Sequence, residues 1–175
     1  MDALSKAYDY DINSSFAYAK FSAASKNKAL INLFQAISDS KSWHANTLYS
    51  IAVEERITDT ILKANVLNPA VGNDIDNLKS ALSMTSYEYG EMYPKLLKTA
   101  DKDNQKEAVN VINYIIKAEK SNNALLTKAL NNLENNKPID DKYYLCETCG
   151  YVEANESPDK CPICGRDKQL FIEYK

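Results

Sequence analysis

Along residues 28–64 the buried-type positions return in steps of three and four, at Leu30, Phe34, Ile37, Lys41, His44, Leu48 and Ile51. That is the period of one face of an α-helix. The same spacing runs through Val109, Ile112, Ile115, Glu119, Asn122, Leu126 and Leu133, and through Ile75, Leu78, Leu82, Thr85, Glu88 and Met92. A weaker stripe joins Leu4, Tyr8, Asp11, Ser15, Tyr18 and Ser22. Between residues 3 and 135 the helix breakers are confined to Pro69, Pro94, Gly72 and Gly90. So few breakers, among many Ala, Leu, Lys and Asn, argue for long helices. The pattern predicts helices over 3–24, 28–64, 75–100 and 104–135. Short turns at 25–28 and 101–104 make antiparallel neighbours, while 65–74 is a longer crossover between two hairpins. A linker is expected at about 136–142. Four helices with one long middle connection form a ferritin-like bundle.

Each stripe turns polar near its middle. Lys41 and His44, the only histidine of the chain, stand where leucines are expected, and so do Glu119 and Asn122, Thr85 and Glu88, and Asp11. Rotating any one stripe by a position would carry its polar residue to solvent, and single interruptions are commonly solvated. Four at one level point instead to a shared site, because buried polar and charged groups are costly unless paired. The expectation is that Lys41 supplies a cation to Glu88, Glu119 or Asp11, with Asn122 and Thr85 adding neutral hydrogen bonds. A single metal bound by His44, Glu88 and Glu119 is the alternative. Tyr8, Tyr18, Tyr87 and Tyr93 are expected to line the bundle interior.

All four cysteines fall in the last thirty residues, as Cys146-x-x-Cys149 and Cys161-x-x-Cys164. A two-residue gap lets both thiolates of a pair face one ion, and two such turns make a tetrahedral S4 cage. Gly150 and Gly165 follow the second cysteine of each pair, where a left-handed turn aims backbone N–H groups at sulfur. Two disulfides are the competing reading, but they belong mainly to secreted scaffolds. An S4 cage takes iron or zinc, and the spacing does not choose between them. Tyr151, Val152, Ile163, Leu170 and Phe171 are expected to form its apolar shell.

The chain has 175 residues, a net charge of −3 and a pI near 5.3, which argues against nucleic acid as the main partner. No apolar run approaches the roughly 20 residues that span a membrane, and no cysteine asks for an oxidising compartment. The cytoplasm is the expected location.

Taken together, these residues resemble the rubrerythrins, non-haem iron proteins with a ferritin-like domain and a rubredoxin-like domain. The resemblance rests on Tyr87-Glu-Tyr-Gly-Glu-Met-Tyr-Pro94, on Leu33-Phe34 with His44-Ala45, on Tyr18 and Phe21, and on Cys146 to Gly165 with its short gap between cysteine pairs. It implies a mainly α chain: residues 1–135 as a four-helix bundle, and 143–175 as a small rubredoxin-like, zinc-ribbon-type β module. It also implies one iron (or zinc) on Cys146, Cys149, Cys161 and Cys164. Electrons from a redox partner protein would enter there and pass to a di-iron centre that reduces hydrogen peroxide, often across a homodimer. In that family the bundle ligands are glutamates from all four helices with two Glu-x-x-His pairs. Here their places are taken by Asp11, by Lys41-x-x-His44, by Thr85-x-x-Glu88 and by Glu119-x-x-Asn122. The expectation is therefore an altered bundle site without an intact di-iron centre, which leaves peroxidase activity open. A non-catalytic, zinc-loaded structural or partner-binding protein is the alternative function.

Overall fold

A computed structural model describes residues 2–54 and 63–175. Helix α1 (Asp2–Ala24) and α2 (Lys28–Glu54) form the first hairpin, and α3 (Asp74–Tyr87) begins the second. A single π-helical stretch, Glu88–Met92, continues α3 into α4 (Tyr93–Lys102), and α5 (Lys106–Glu134) returns antiparallel to them. Residues 55–62 of the expected second helix lie outside the described residues. Positions 63 and 64, also expected in that helix, are not helical. Residues 63–73 form the described part of the crossover. Asn73 caps α3 by accepting from the Asp76 N–H at 3.0 Å, and Asp74 and Asp76 sit at the positive end of the helix dipole. After α5 the chain turns out through Asn136 at φ +51°, a left-handed conformation that asparagine tolerates.

The buried faces fall into two apolar clusters. One holds Tyr18, Phe21, Leu30, Leu33, Phe34, Ile37, Leu78 and Leu126. The other holds Leu4, Leu48, Ile51, Met92, Tyr93, Leu96, Ile112 and Ile115. Between the two clusters, α1, α2, α5 and the junction of α3 with the π-helical stretch each bury polar residues: Asp11 and Ser14, Lys41 and His44, Glu119 and Asn122, Thr85 and Glu88. The first stripe passes through Ser14 rather than Ser15. Ser15 instead meets Ser42 of α2 at 2.8 Å on the partly buried flank. Of the four tyrosines expected inside, Tyr18 and Tyr93 are fully buried and Tyr8 is partly so. Tyr87 is a correction: it is 42 % exposed, because the inward place at that level goes to Glu88, the first residue of the π-helical stretch.

The C-terminal module is a three-stranded antiparallel sheet in the order β2-β1-β3, from β1 (Tyr143–Cys146), β2 (Val152–Ala154) and β3 (Phe171–Tyr174). The sheet packs on the bundle. Tyr143, Leu145 and Val152 join the first apolar cluster, Asn32 donates to the Asp141 carbonyl at 2.7 Å, and the Tyr174 hydroxyl donates to Asp39 at 2.6 Å. Burying these large side chains stabilises the docked arrangement by about 1.5–3 kcal/mol each.

Candidate metal centre

The two Cys-x-x-Cys turns are built alike. In each, the glycine after the second cysteine has φ +73° and its N–H donates back to the carbonyl of the first cysteine, Gly150 to Cys146 at 3.0 Å and Gly165 to Cys161 at 2.9 Å. Across the turns, Cys146 and Cys164 sulfurs lie 3.6 Å apart, as do those of Cys149 and Cys161. All four sulfurs lie within 4.8 Å of one another. A tetrahedron with metal–sulfur bonds of about 2.3 Å has sulfurs about 3.8 Å apart, so the donor set fits one ion. The separations are far longer than a disulfide bond of about 2.05 Å, and all four thiols are free. The four-cysteine cluster can thus hold one metal ion. Tyr151, Ile163 and Phe171 pack around it. Two residues expected in that shell do not belong to it: Val152 faces the bundle core, and Leu170 is 38 % exposed. Strand alternation turns Val152 away from the cage when Tyr151 faces it.

This cage rests directly on α2. His44 Nε2 lies 3.2 Å from the Cys149 carbonyl oxygen, and the Ser40 hydroxyl donates to the Gly150 carbonyl at 2.6 Å. A Cβ on Gly150 would fall 2.4 Å from His44 Nε2. Glycine is therefore required there twice, by its backbone conformation and by the closeness of the imidazole.

From that contact the polar layer leads inward. His44 Nδ1 approaches Glu119 Oε1 at 2.9 Å, though without in-line hydrogen-bond geometry. Glu119 Oε2 accepts from the Lys41 ammonium, which also donates to Glu88 Oε2. The other Glu88 oxygen accepts from the Ser14 hydroxyl at 3.2 Å. Lys41, Glu88 and Glu119 are all fully buried. Burial alone would raise the Glu119 carboxyl, but Lys41 and His44 bring it down to about 2. Glu88 goes the other way. Burial and the neighbouring Glu119 charge outweigh Lys41 and push it well above the usual carboxylate range. The ammonium would be disfavoured by burial, and the carboxylates more than restore it.

Asp11, Thr85 and Asn122 bond outside the cluster of Lys41, Glu88 and Glu119. Asp11 makes no ion pair with Lys41 among the described residues; it accepts from the Tyr93 hydroxyl, and burial raises it to about 6 against the pull of His44 and Lys41. An aspartate is one methylene shorter than a glutamate, and on α1 its carboxyl is taken up by Tyr93 instead. Thr85 bonds back to its own helix at the Ala81 and Leu82 carbonyls and accepts from Asn123. Asn122 donates to Ser40 at 3.3 Å. Neither Thr85 nor Asn122 touches a carboxylate of the cluster. Among the described residues, the four cysteines form the only group that brings three or more His, Cys, Asp or Glu donors to one point. Sequence reasoning missed Ser14, Ser40 and the role of Tyr93. Ser40 carried a signal nonetheless, a polar residue beside Lys41 on the buried side of α2.

Beyond Ser14 a cavity of about 320 Å³ opens between α1, Met84 of α3 and the crossover residues Leu67 and Pro69. The crossover is held there by Asp9, which accepts from the Asn65 N–H at 2.6 Å, and by Asn13, which accepts from the Leu67 N–H at 2.7 Å.

Comparison with known proteins agrees with this architecture. The family model described as rubrerythrin matches residues 2–130, and that of the rubrerythrin rubredoxin-like domain matches 144–172. Rubrerythrin-2 of Clostridium acetobutylicum is 31 % identical over 177 aligned positions, covering 99 % of this chain and 95 % of that protein. Nigerythrin of Nitratidesulfovibrio vulgaris is 30 % identical, covering 90 % of this chain and 76 % of its own. The solved structure of fully reduced, all-ferrous nigerythrin superposes with a TM-score of 0.89 at 27 % identity, over 99 % of this chain and 85 % of that one. No helix among the described residues is long and apolar enough to cross a membrane. With both of its modules matched, in the order bundle then cysteine cage, the chain belongs to the rubrerythrin family of non-haem iron proteins.

Proposed function

We propose that the protein is an electron-transfer member of that family, acting in peroxide defence through a single iron held by Cys146, Cys149, Cys161 and Cys164, with no di-iron centre in the bundle. The observation that carries this reading is the pairing of Lys41 with Glu88 and Glu119, set beside the intact four-sulfur cage. An iron in the cage would supply a one-electron ferrous–ferric couple. The chain's own residues then do three things. The cysteine thiolates hold the site, Tyr151, Ile163 and Phe171 limit water around it, and Ser40 and His44 fix the Cys149–Gly150 backbone against α2.

The bundle residues do not fit a di-iron cluster. Such a centre takes a histidine from each of two helices, and this chain has one histidine in all. A protonated lysine has no lone pair to offer a metal, and its ammonium stands between the Glu88 and Glu119 carboxylates. The proposed setting is the cytoplasm, with a redox partner protein as electron donor and a homodimer as the working assembly.

Reconstitution with ferrous iron under anaerobic conditions, followed by metal analysis and a visible spectrum, tests this. One iron per chain with ferric-thiolate absorption, bleached by reductant and restored by an oxidant, is the expected result. Close to three irons per chain with rapid peroxide turnover would overturn it. A colourless protein that takes only zinc would favour a structural role.

A further inference from the structure

We infer that the Lys41 ammonium is a tethered substitute for a metal ion, and that it alone closes the bundle to a divalent cation that Glu88, Glu119 and His44 would otherwise bind. The inference deepens the reading of the bundle as metal-free.

The geometry is that of a cation site with the cation supplied by the chain. Nζ donates to one oxygen from each of two carboxylates, and these arrive from different segments, 47 and 78 residues away along the sequence. A third segment joins through Ser14 of α1, which holds the remaining Glu88 oxygen. Beside this core, the second Glu119 oxygen lies 2.9 Å from His44 Nδ1 without in-line hydrogen-bond geometry, and Asn122 Oδ1 is buried with no hydrogen-bond partner among the described residues. Buried donors and acceptors without partners are rare in folded proteins. Glu119 thus carries the ammonium on one oxygen and the imidazole on the other. Two carboxylates and one imidazole are a ligand set suited to a first-row divalent cation. The cavity of about 320 Å³ has on its wall Ser14, whose hydroxyl donates to Glu88.

Lysine serves this role where other residues would not. Its four-carbon stem reaches across the core while its compact head offers three donors. The single charge balances one carboxylate, and burial together with the Glu119 charge pushes the Glu88 carboxyl well above the usual carboxylate range. A divalent ion would hold both carboxylates ionised. The two occupants are thus mutually exclusive, both sterically and in charge.

The test uses full-length protein with zinc already filling the cysteine cage, so that the cage is saturated and redox-silent. Cobalt(II) is then titrated and followed by its d–d absorption and by calorimetry. Wild type is expected to take up no cobalt at concentrations up to about 1 mM. Lys41→Glu, which restores a carboxylate three residues before His44, is expected to bind one equivalent at least about a hundredfold more tightly than wild type, and to melt at a higher temperature with cobalt than without. If wild type and a folded Lys41→Glu both bind none, the inference fails while the metal-free reading stands. Second-site cobalt in wild type sinks both. Should Lys41→Glu not fold without metal, Lys41→Gln, similar in length and uncharged, decides the matter by the same titration. No cobalt uptake by folded Lys41→Gln would overturn the inference.

Discussion

The cysteine cage and the polar layer of the bundle both gather donor groups in a protein interior, and they do so in opposite ways. The cage takes its four ligands from two turns that lie 18 residues apart at most, each turn shaped by its own glycine. The polar layer draws Asp11, Lys41, Glu88 and Glu119 from α1, α2, the π-helical stretch and α5. No two of them are close in sequence, and none is positioned by its neighbours in the chain. A site built from local turns keeps its geometry when the rest of the protein changes. A site assembled from helix registers depends on every helix, and the charge of one residue changes what the others can pair with.

If the two regions are as independent as this suggests, the largest effect should come from breaking the cage while the bundle stands. In Cys149→Ser the expected outcome is loss of tight metal binding by residues 143–175, with the helical far-UV dichroism kept. Structural S4 metals contribute about 10–16 kcal/mol of binding free energy, so one missing thiolate should be plain in metal stoichiometry. Collapse of helicity in the same variant would show that the bundle depends on the cage.

A smaller effect is expected in the other region. Lys41→Met removes the buried cation and leaves Glu119 without it, which should destabilise the protein by about 3–5 kcal/mol at neutral pH. The sign of its pH dependence sharpens the test. In wild type the Glu119 carboxyl is held at about 2 against an ordinary 4.5, so its stabilisation is complete above about 4.5 and is lost as the pH falls towards 2. The variant lacks that contribution, and its denaturant midpoint should converge on that of wild type as the pH drops through this window. A deficit that is constant from pH 7 to 3 would mean that packing of the lysine stem, rather than its charge, is what was lost.

The smallest effect concerns the seam between the regions. Gly150→Ala places a Cβ 2.4 Å from His44 Nε2 at a residue with φ +73°, a combination expected to cost about 1–3 kcal/mol. The strain falls on the docking of the cage against α2. The expected readout is a lower melting temperature and faster proteolysis in residues 136–142, with metal content unchanged. Unaltered proteolysis would show that the seam yields without releasing the module.

Much of this was legible along the chain because its determinants are local. The three-and-four spacing of Leu30, Phe34, Ile37, Leu48 and Ile51 needs only helix geometry to be read. The two Cys-x-x-Cys-Gly turns announce their cage by spacing alone. Even the polar layer showed itself, as an interruption at one level of four stripes. Harder to see was the π-helical insertion at Glu88–Met92, which no residue type signals. Tyr87, just before it, is turned outward because the buried stripe runs through Glu88 beside it.

What the sequence determined by itself was therefore the class of each part: helices with polar middles, a set of four cysteines spaced for a cage, and a lysine and a histidine in the buried stripe of α2. Which groups meet was decided by the tertiary structure. Lys41 reaches Glu88 and Glu119 but not Asp11, which goes to Tyr93. Thr85 turns back to its own helix, and His44 touches the backbone of the cage. The physical reason is that spacing along a helix fixes the face on which a side chain lies and nothing more. Its level against a neighbouring helix, and the direction of its last two bonds, are set by how the apolar clusters on either side pack together.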